Sequence, residues 1–228
     1  RVTGGRPRRD VATRLAWTVA LLVALTFAPN VVRETYLAVA LVEDHSIRVD
    51  RFAGLHPDLF ERPGRGTFIN SNPGASIAGA VPYALARPVF EAIYRAYPPL
   101  VAAKTPATYD DPRPNRLRVM NDMRARGLDV RLGLAAAAMA TGVNVPLAVL
   151  ATLLLYGFLC RRLGDEPSAR WLALLFAFGT PVFFRSAFLN QNLLLAYVTL
   201  FAYLALTRRE GADAAPPARR SCATLTTH

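Results

Sequence analysis

Between Arg131 and Arg161 the chain runs for 29 residues without a charged side chain, and no other feature restricts its fold as strongly. A helix of that composition exceeds the roughly 20 apolar residues needed to cross a hydrocarbon layer of about 30 Å. Residues 15–32 and 186–207 are also free of charge. A shorter run, 171–184, is flanked by Arg170 and Arg185, whose aliphatic stems can reach the interfaces and let 167–185 cross. The expectation is an all-α, polytopic membrane protein with about four transmembrane helices. Composition agrees, because 53% of the 228 residues are hydrophobic and only 19% are charged, too apolar for an ordinary soluble domain.

The formal net charge of +11 raises nucleic acid as an alternative partner, and the positions of the arginines argue against it. Arg1, Arg6, Arg8, Arg9 and Arg14 precede the first run; Arg161, Arg162 and Arg170 lie between the second and third; Arg208, Arg209, Arg219 and Arg220 follow the fourth. Four crossings would put all three clusters on one side, as the cytoplasmic segments of a multi-pass protein of the plasma (inner) membrane require. The domain plan that follows is a cytoplasmic basic N-terminus over 1–14, a membrane domain over 15–209 and a tail over 210–228 of disordered composition. Residues 33–131 form one long external loop, with 14 Arg or Lys and 11 Asp or Glu.

Within that loop, TFINSNPGASIAGAVPYALAR carries no charge over 66–86, yet its clean apolar part, 75–86, is only 12 residues long. Arg87, Glu91 and Arg95 then follow at helical spacing. The segment 74–97 is therefore expected as an interfacial helix on the outer face, a short further crossing being the alternative. RETYLAVALVED, over 33–44, reads as a short helix along the membrane surface with Tyr36, Leu37, Ala40 and Leu41 on its apolar face. Asn72-Pro73-Gly74 is a turn, and the Pro- and Arg-rich stretch 97–129 shows no period.

No nucleotide-binding loop, dinucleotide fingerprint or zinc-protease motif is present, and Gly64-Arg65-Gly66 reads as a turn. The two cysteines, Cys160 and Cys222, support neither a disulfide framework nor a zinc site. His45 and His56, eleven apart, lack a metal-ligand spacing, so the sequence does not support a divalent metal and names no cofactor.

What stands out is the order of several weak signals. A first apolar run ends in Asn30-Val-Val-Arg-Glu34, and a surface helix ends at Val42-Glu43-Asp44. FINSNPGAS then opens a second surface helix. A run closing on Arg161-Arg162-Leu163-Gly164 is followed by Phe178-Gly179-Thr180-Pro181 and Asn190-Gln191-Asn192. This order resembles the bacterial membrane glycosyltransferases of the GT-C class, the group of protein O-mannosyltransferases and lipid A aminoarabinose transferases. The resemblance covers roughly 15–209 and is one of pattern. It implies transfer of a sugar from a polyprenyl-phosphate donor to an acceptor of unknown identity on the outer face of the membrane, with the lipid bilayer as a partner.

Such a reaction needs a carboxylate base and cations where the phosphate departs. By its position after the first run, Glu34 corresponds best to the family's catalytic acid. The family's usual Asp-Glu pair is absent there, and Glu43-Asp44 is a comparable pair displaced by nine residues. Glu34, Asp44 and Glu43 are thus the catalytic candidates. Arg33, Arg48 and Arg51 are candidates for the phosphate, and Asn70, Asn72, Asn190 and Asn192 for the sugar. Asn144 reads as structural, satisfying a carbonyl freed by Pro146. The family carries more than four crossings, so this short chain, which begins without methionine, is expected to be its N-terminal part. The alternatives are a noncatalytic assembly partner of the same ancestry and, less favoured, a transporter of lipid-linked sugars.

Overall fold

The computed structural model describes residues 8–26 and 32–213, without the side chains of Arg8 and of 208–213. Arg1 and Arg6, the end of the first apolar run at 27–31, Cys222 and the tail from 214 lie outside the described residues.

The chain is mostly helical, 72%. In order it forms α1 (Arg8–Leu25), α2 (Arg33–Glu43), β1 (Leu59–Arg62), β2 (Gly66–Ile69), α3 (Gly74–Ala96), α4 (Pro114–Ala125), α5 (Asp129–Met139), α6 (Val145–Leu163), α7 (Glu166–Phe178), α8 (Pro181–Arg185) and α9 (Gln191–Asp213). Local signals set many of these boundaries. Gly164 ends α6 in the left-handed conformation, φ 70°, and the Asp165 side chain accepts from the Ser168 amide to start α7. Asn190 Oδ1 accepts from the amides of Asn192 and Leu193 at the start of α9. Between α5 and α6 the helix widens into a π turn over Ala140–Asn144. Pro146, just beyond it, lacks an amide proton, and a wider turn relieves the clash of its ring with the preceding turn.

The expectation of about four crossings is not what the structure shows. Among the described residues, Asp129–Leu163, which joins α5, the π turn and α6, is the one helix long and apolar enough to cross a membrane. The other three fall short for separate reasons. The described part of α1 begins with Arg8, Arg9 and Asp10 and ends at Leu25, leaving 15–25 as its apolar length. The run 167–185 is broken by Gly179-Thr180-Pro181, where the Thr180 side chain accepts from the Val182 amide and starts a new, 5-residue helix. The run 186–207 is helical and apolar only over Gln191–Thr207, because 186–190 turn before it. The chain is not purely helical either, since β1 and β2 pair antiparallel with Arg62 opposite Gly66. Pro63-Gly64-Arg65 is the turn of this hairpin, and Gly66 is the first residue of β2.

Two apolar cores lie along the long helix. The first gathers α2, α3 and α5 around Tyr36, Phe52, Leu55, Leu132, Met139 and Leu189. The second gathers α1, α6, α7 and α9, where Ala148, Ala151, Ala169, Ala173 and Ala177 let the helices approach closely around Val19 and Tyr197. α2 is no surface helix, for every residue from Glu34 to Ala40 is buried. It is the central element of the first core. α3 packs its Ala75, Ser76, Gly79 and Tyr83 side inward and leaves Ile77, Val81, Leu85 and Val89 exposed along the other. The supposedly aperiodic stretch 97–129 contains α4. It is held down by the Lys104 amide on the Arg124 carbonyl, 3.0 Å, and the Ala107 amide on Asn121 Oδ1, 2.9 Å. Asn144 is fully buried, and its amide donates to the Ser186 and Phe188 carbonyls, both at 2.9 Å, rather than to a neighbour in its own helix.

Candidate functional site

The two ends of α2 carry two separate ionic clusters. Glu34 and Glu43 are nine residues apart, which in a helix means about 13 Å along the axis and nearly opposite faces. Glu34 and the Glu43-Asp44 pair therefore belong to different places.

At the first end Glu34 occupies the first turn, where a negative charge suits the helix dipole. Its side chain is only 6% exposed and meets Arg33 Nε at 3.5 Å, a long contact for a charged pair. Arg33 makes its short bond elsewhere, to Asp58 Oδ2 at 2.7 Å. The Asp58 amide donates to His56 Nδ1 at 3.1 Å, so the proton of the neutral imidazole sits on Nε2. Burial lowers the His56 pKa below its ordinary value, with Arg33 adding to the effect and Asp58 and Glu34 opposing it. The ring lies 6.2 Å from that of Tyr36, whose hydroxyl is buried without a partner and is pushed up to about 12 by burial, against the pull of Arg126.

His56 also lines a pocket of about 330 Å³ with Gly54, Pro57, Asn115, Arg118 and Val119. The pocket brings the loop after Phe52 against α4. The hairpin is anchored to the same region, for the Asn70 amide donates to the Asp58 carbonyl at 2.8 Å and the Thr67 amide to Asp50 Oδ1 at 2.6 Å. Gly66 has φ 102°, and a Cβ there would lie 2.6 Å from Asp50 Oδ1, so only glycine leaves room for this anchor.

At the second end Glu43 is 12% exposed and fully engaged. Its Oε1 accepts from the Tyr83 hydroxyl and its Oε2 from Arg51 at 2.6 Å. Arg51 also reaches Asp44 at 3.4 Å and lies over the Phe52 ring. Burial alone would raise the Glu43 carboxyl, but the bonds from Tyr83 and Arg51 and the nearby charges of Arg51 and Arg87 hold it below its ordinary value. Burial and Glu43 push Tyr83 well above the usual phenol range. This cluster ties α2 to α3 and reads as a structural clasp.

That reading has a measurable consequence. Tyr83→Phe should cost about 1.5–3 kcal/mol, the worth of a hydrogen bond to a charged group. Because the folded Glu43 carboxyl lies below its ordinary 4.5, its contribution is present above that pH and is lost as pH falls through the lowered value. The gap in melting temperature between the native chain and Glu43→Gln should therefore narrow on acidification. A gap that stays constant would remove Glu43 as the origin.

Of the remaining predicted residues, Arg48 is an exposed partner of Asp50 at 3.6 Å, and Asn70 and Asn72 have exposed side chains in the turn before α3. Asn190 caps α9, and exposed Asn192 lies on α9 itself. The structure thus brings Arg33 and Glu34 together and separates Arg48, Arg51, Glu43 and Asp44 from them. The sequence reading missed Asp58, Tyr83, Asn115 and Arg118. His56-Pro57-Asp58, a histidine and an acid about a proline, was the available signal for the first. No group of three His, Cys, Asp or Glu among the described residues could hold a metal ion. No family model, curated protein or solved structure matches this chain, so the class of the protein rests on its own residues.

Proposed function

We propose that this protein acts at a membrane as a glycosyltransferase, passing a sugar from a polyprenyl-phosphate donor to an acceptor hydroxyl or amine, with Glu34 as the base. The observation that carries the reading is the state of Glu34. Its side chain is buried with one long contact, beside an Arg33–Asp58–His56 chain that leads to a pocket. In the reaction Glu34 takes the acceptor proton as the acceptor lone pair attacks the anomeric carbon. The bond from that carbon to the phosphate oxygen breaks, and the electron pair leaves with the polyprenyl phosphate. Arg33, held by Asp58, lends positive charge to the departing phosphate.

Membrane attachment is supported by the long helix Asp129–Leu163 and by exposed apolar side chains on neighbouring helices, among them Trp17, Leu21, Trp171, Leu175, Leu195 and Leu206. Scattered apolar exposure is ordinary, but a surface this rich calls for a covering phase, and lipid supplies it.

The test is direct. The full chain in detergent or lipid discs, given polyprenyl-phosphate sugars and a panel of hydroxyl and amine acceptors, should release polyprenyl phosphate. A noncatalytic assembly role is the second reading, favoured by the many acids of the region that serve as internal ties, including Glu43 to Arg51, Asp58 to Arg33 and Asp129 to Lys104. Absence of release with every donor and acceptor would select it.

A further inference from the structure

The pocket between the loop 54–58 and α4 has a chemistry of its own, and its donors outnumber its acceptors. His56 contributes Nε2–H, because Nδ1 is already taken by the Asp58 amide. Arg118 is 75% exposed, and its contact with Asp122, at 3.9 Å, is too long for a charge-assisted hydrogen bond. Its guanidinium fork is therefore available to a ligand. Asn115 stands in the first turn of α4 and lines the pocket, and its backbone amide is among those that lack an intrahelical acceptor.

The surrounding cations are mostly engaged. Arg126 grips the Ala53 carbonyl at 3.0 Å, beside the pocket loop, and on α4 Arg116 is paired with Asp111 at 3.1 Å and Arg124 donates to the Thr105 carbonyl, which leaves Arg118 as the cation of α4 at the pocket. Asp58, the acid beside His56, is paired with Arg33 at 2.7 Å, an arginine that Glu34 also meets at 3.5 Å. A cavity of about 330 Å³ has room for a compact anion and the start of whatever bears it.

We propose that His56, Asn115 and Arg118 form a binding site for a phosphoryl group. A tetrahedral anion suits this set, since an arginine fork, an imidazole N–H and a helix N-terminus can each meet a different oxygen. The site stands apart from the sugar-transfer reading, because its test is binding and needs no turnover. Two sources share this chemistry, a phosphorylated lipid headgroup and a soluble phosphate.

The experiment uses the full chain with two probes. Inorganic phosphate is titrated by calorimetry, and binding to bilayers of phosphatidylcholine with and without phosphatidic acid is measured by flotation. Saturable binding of phosphate, weakened at least tenfold in Arg118→Ala and lost in Asn115→Asp, would establish a site for soluble phosphate. Binding confined to bilayers with phosphatidic acid, and lost in the same variants, would establish a lipid-headgroup site. Asn115→Asp is nearly isosteric, and an acid in the first helical turn favours the helix, so loss of binding there is not loss of fold. Arg65→Ala, in the hairpin turn, removes an equal charge away from the pocket and should change nothing. Binding to neither probe, or an equal loss in Arg65→Ala and Arg118→Ala, would overturn the proposal.

Discussion

Glu34→Gln is expected to lower release of polyprenyl phosphate by about 100-fold or more while donor binding and melting temperature stay close to those of the native chain. Glutamine keeps the shape of the side chain and can still meet Arg33, so the buried corner at the start of α2 survives. What disappears is the proton acceptor. Asp44→Asn serves as the contrast. Asp44 is 38% exposed and shares Arg51 with Glu43, so its loss should be mild in both turnover and stability. Arg33→Ala should weaken donor binding and turnover together. Near-native transfer by Glu34→Gln would take that residue out of the chemistry, and loss confined to Asp44→Asn would move the base to the other end of α2.

The largest effect on stability is expected at Gly127, in the turn between α4 and α5. Its φ is 66°, and a Cβ there would run into the Val101 carbonyl oxygen and lie 3.1 Å from the Ala102 carbonyl carbon. Gly127→Ala combines a left-handed penalty of about 1–2 kcal/mol with displacement of packed backbone, roughly 1–3 kcal/mol. The sum is a large share of the 5–15 kcal/mol that usually holds a domain together. Gly64→Ala isolates the first term, because Gly64 has φ 70° but nothing within 4 Å of the added methyl. Thermal melting should therefore rank the two variants clearly, with Gly127→Ala several degrees lower. Equal melting would mean that the Val101 segment yields freely and does not hold the end of α4.

Much of the local grammar was legible. Asn72-Pro73-Gly74 does open α3, Arg161-Arg162-Leu163-Gly164 does close α6, and Gly64-Arg65 does turn the chain. These signals are legible because each depends on the backbone preferences of one or two residues. The errors came where a rule about length or periodicity met a local interruption or a distant partner. The run 167–185 satisfied a hydropathy criterion, yet Thr180 caps a new helix at Pro181 and shortens it. α4 was invisible because its arginines and prolines give no apolar period, and its hold on the fold comes from Lys104, Ala107 and Thr105, residues outside the helix. α2 showed an amphipathic pattern, but burial on all its sides was decided by α3, α5 and the loop carrying Phe52 and Leu55.

The candidate site divides in the same way. The sequence by itself determined that acids and arginines would gather around the two ends of α2 and that the apolar run between Arg131 and Arg161 would make one long helix, because spacing and charge act along the chain. Only the tertiary structure decided which acid is given close partners. Glu34 and Glu43 sit on one short helix and look alike in sequence, yet Tyr83 and Arg51 satisfy one while burial leaves the other with a single long contact. Only the tertiary structure, too, set His56 against Asn115 and Arg118 from the far end of the loop. Such encounters depend on how whole elements pack, and no local period along the chain records them.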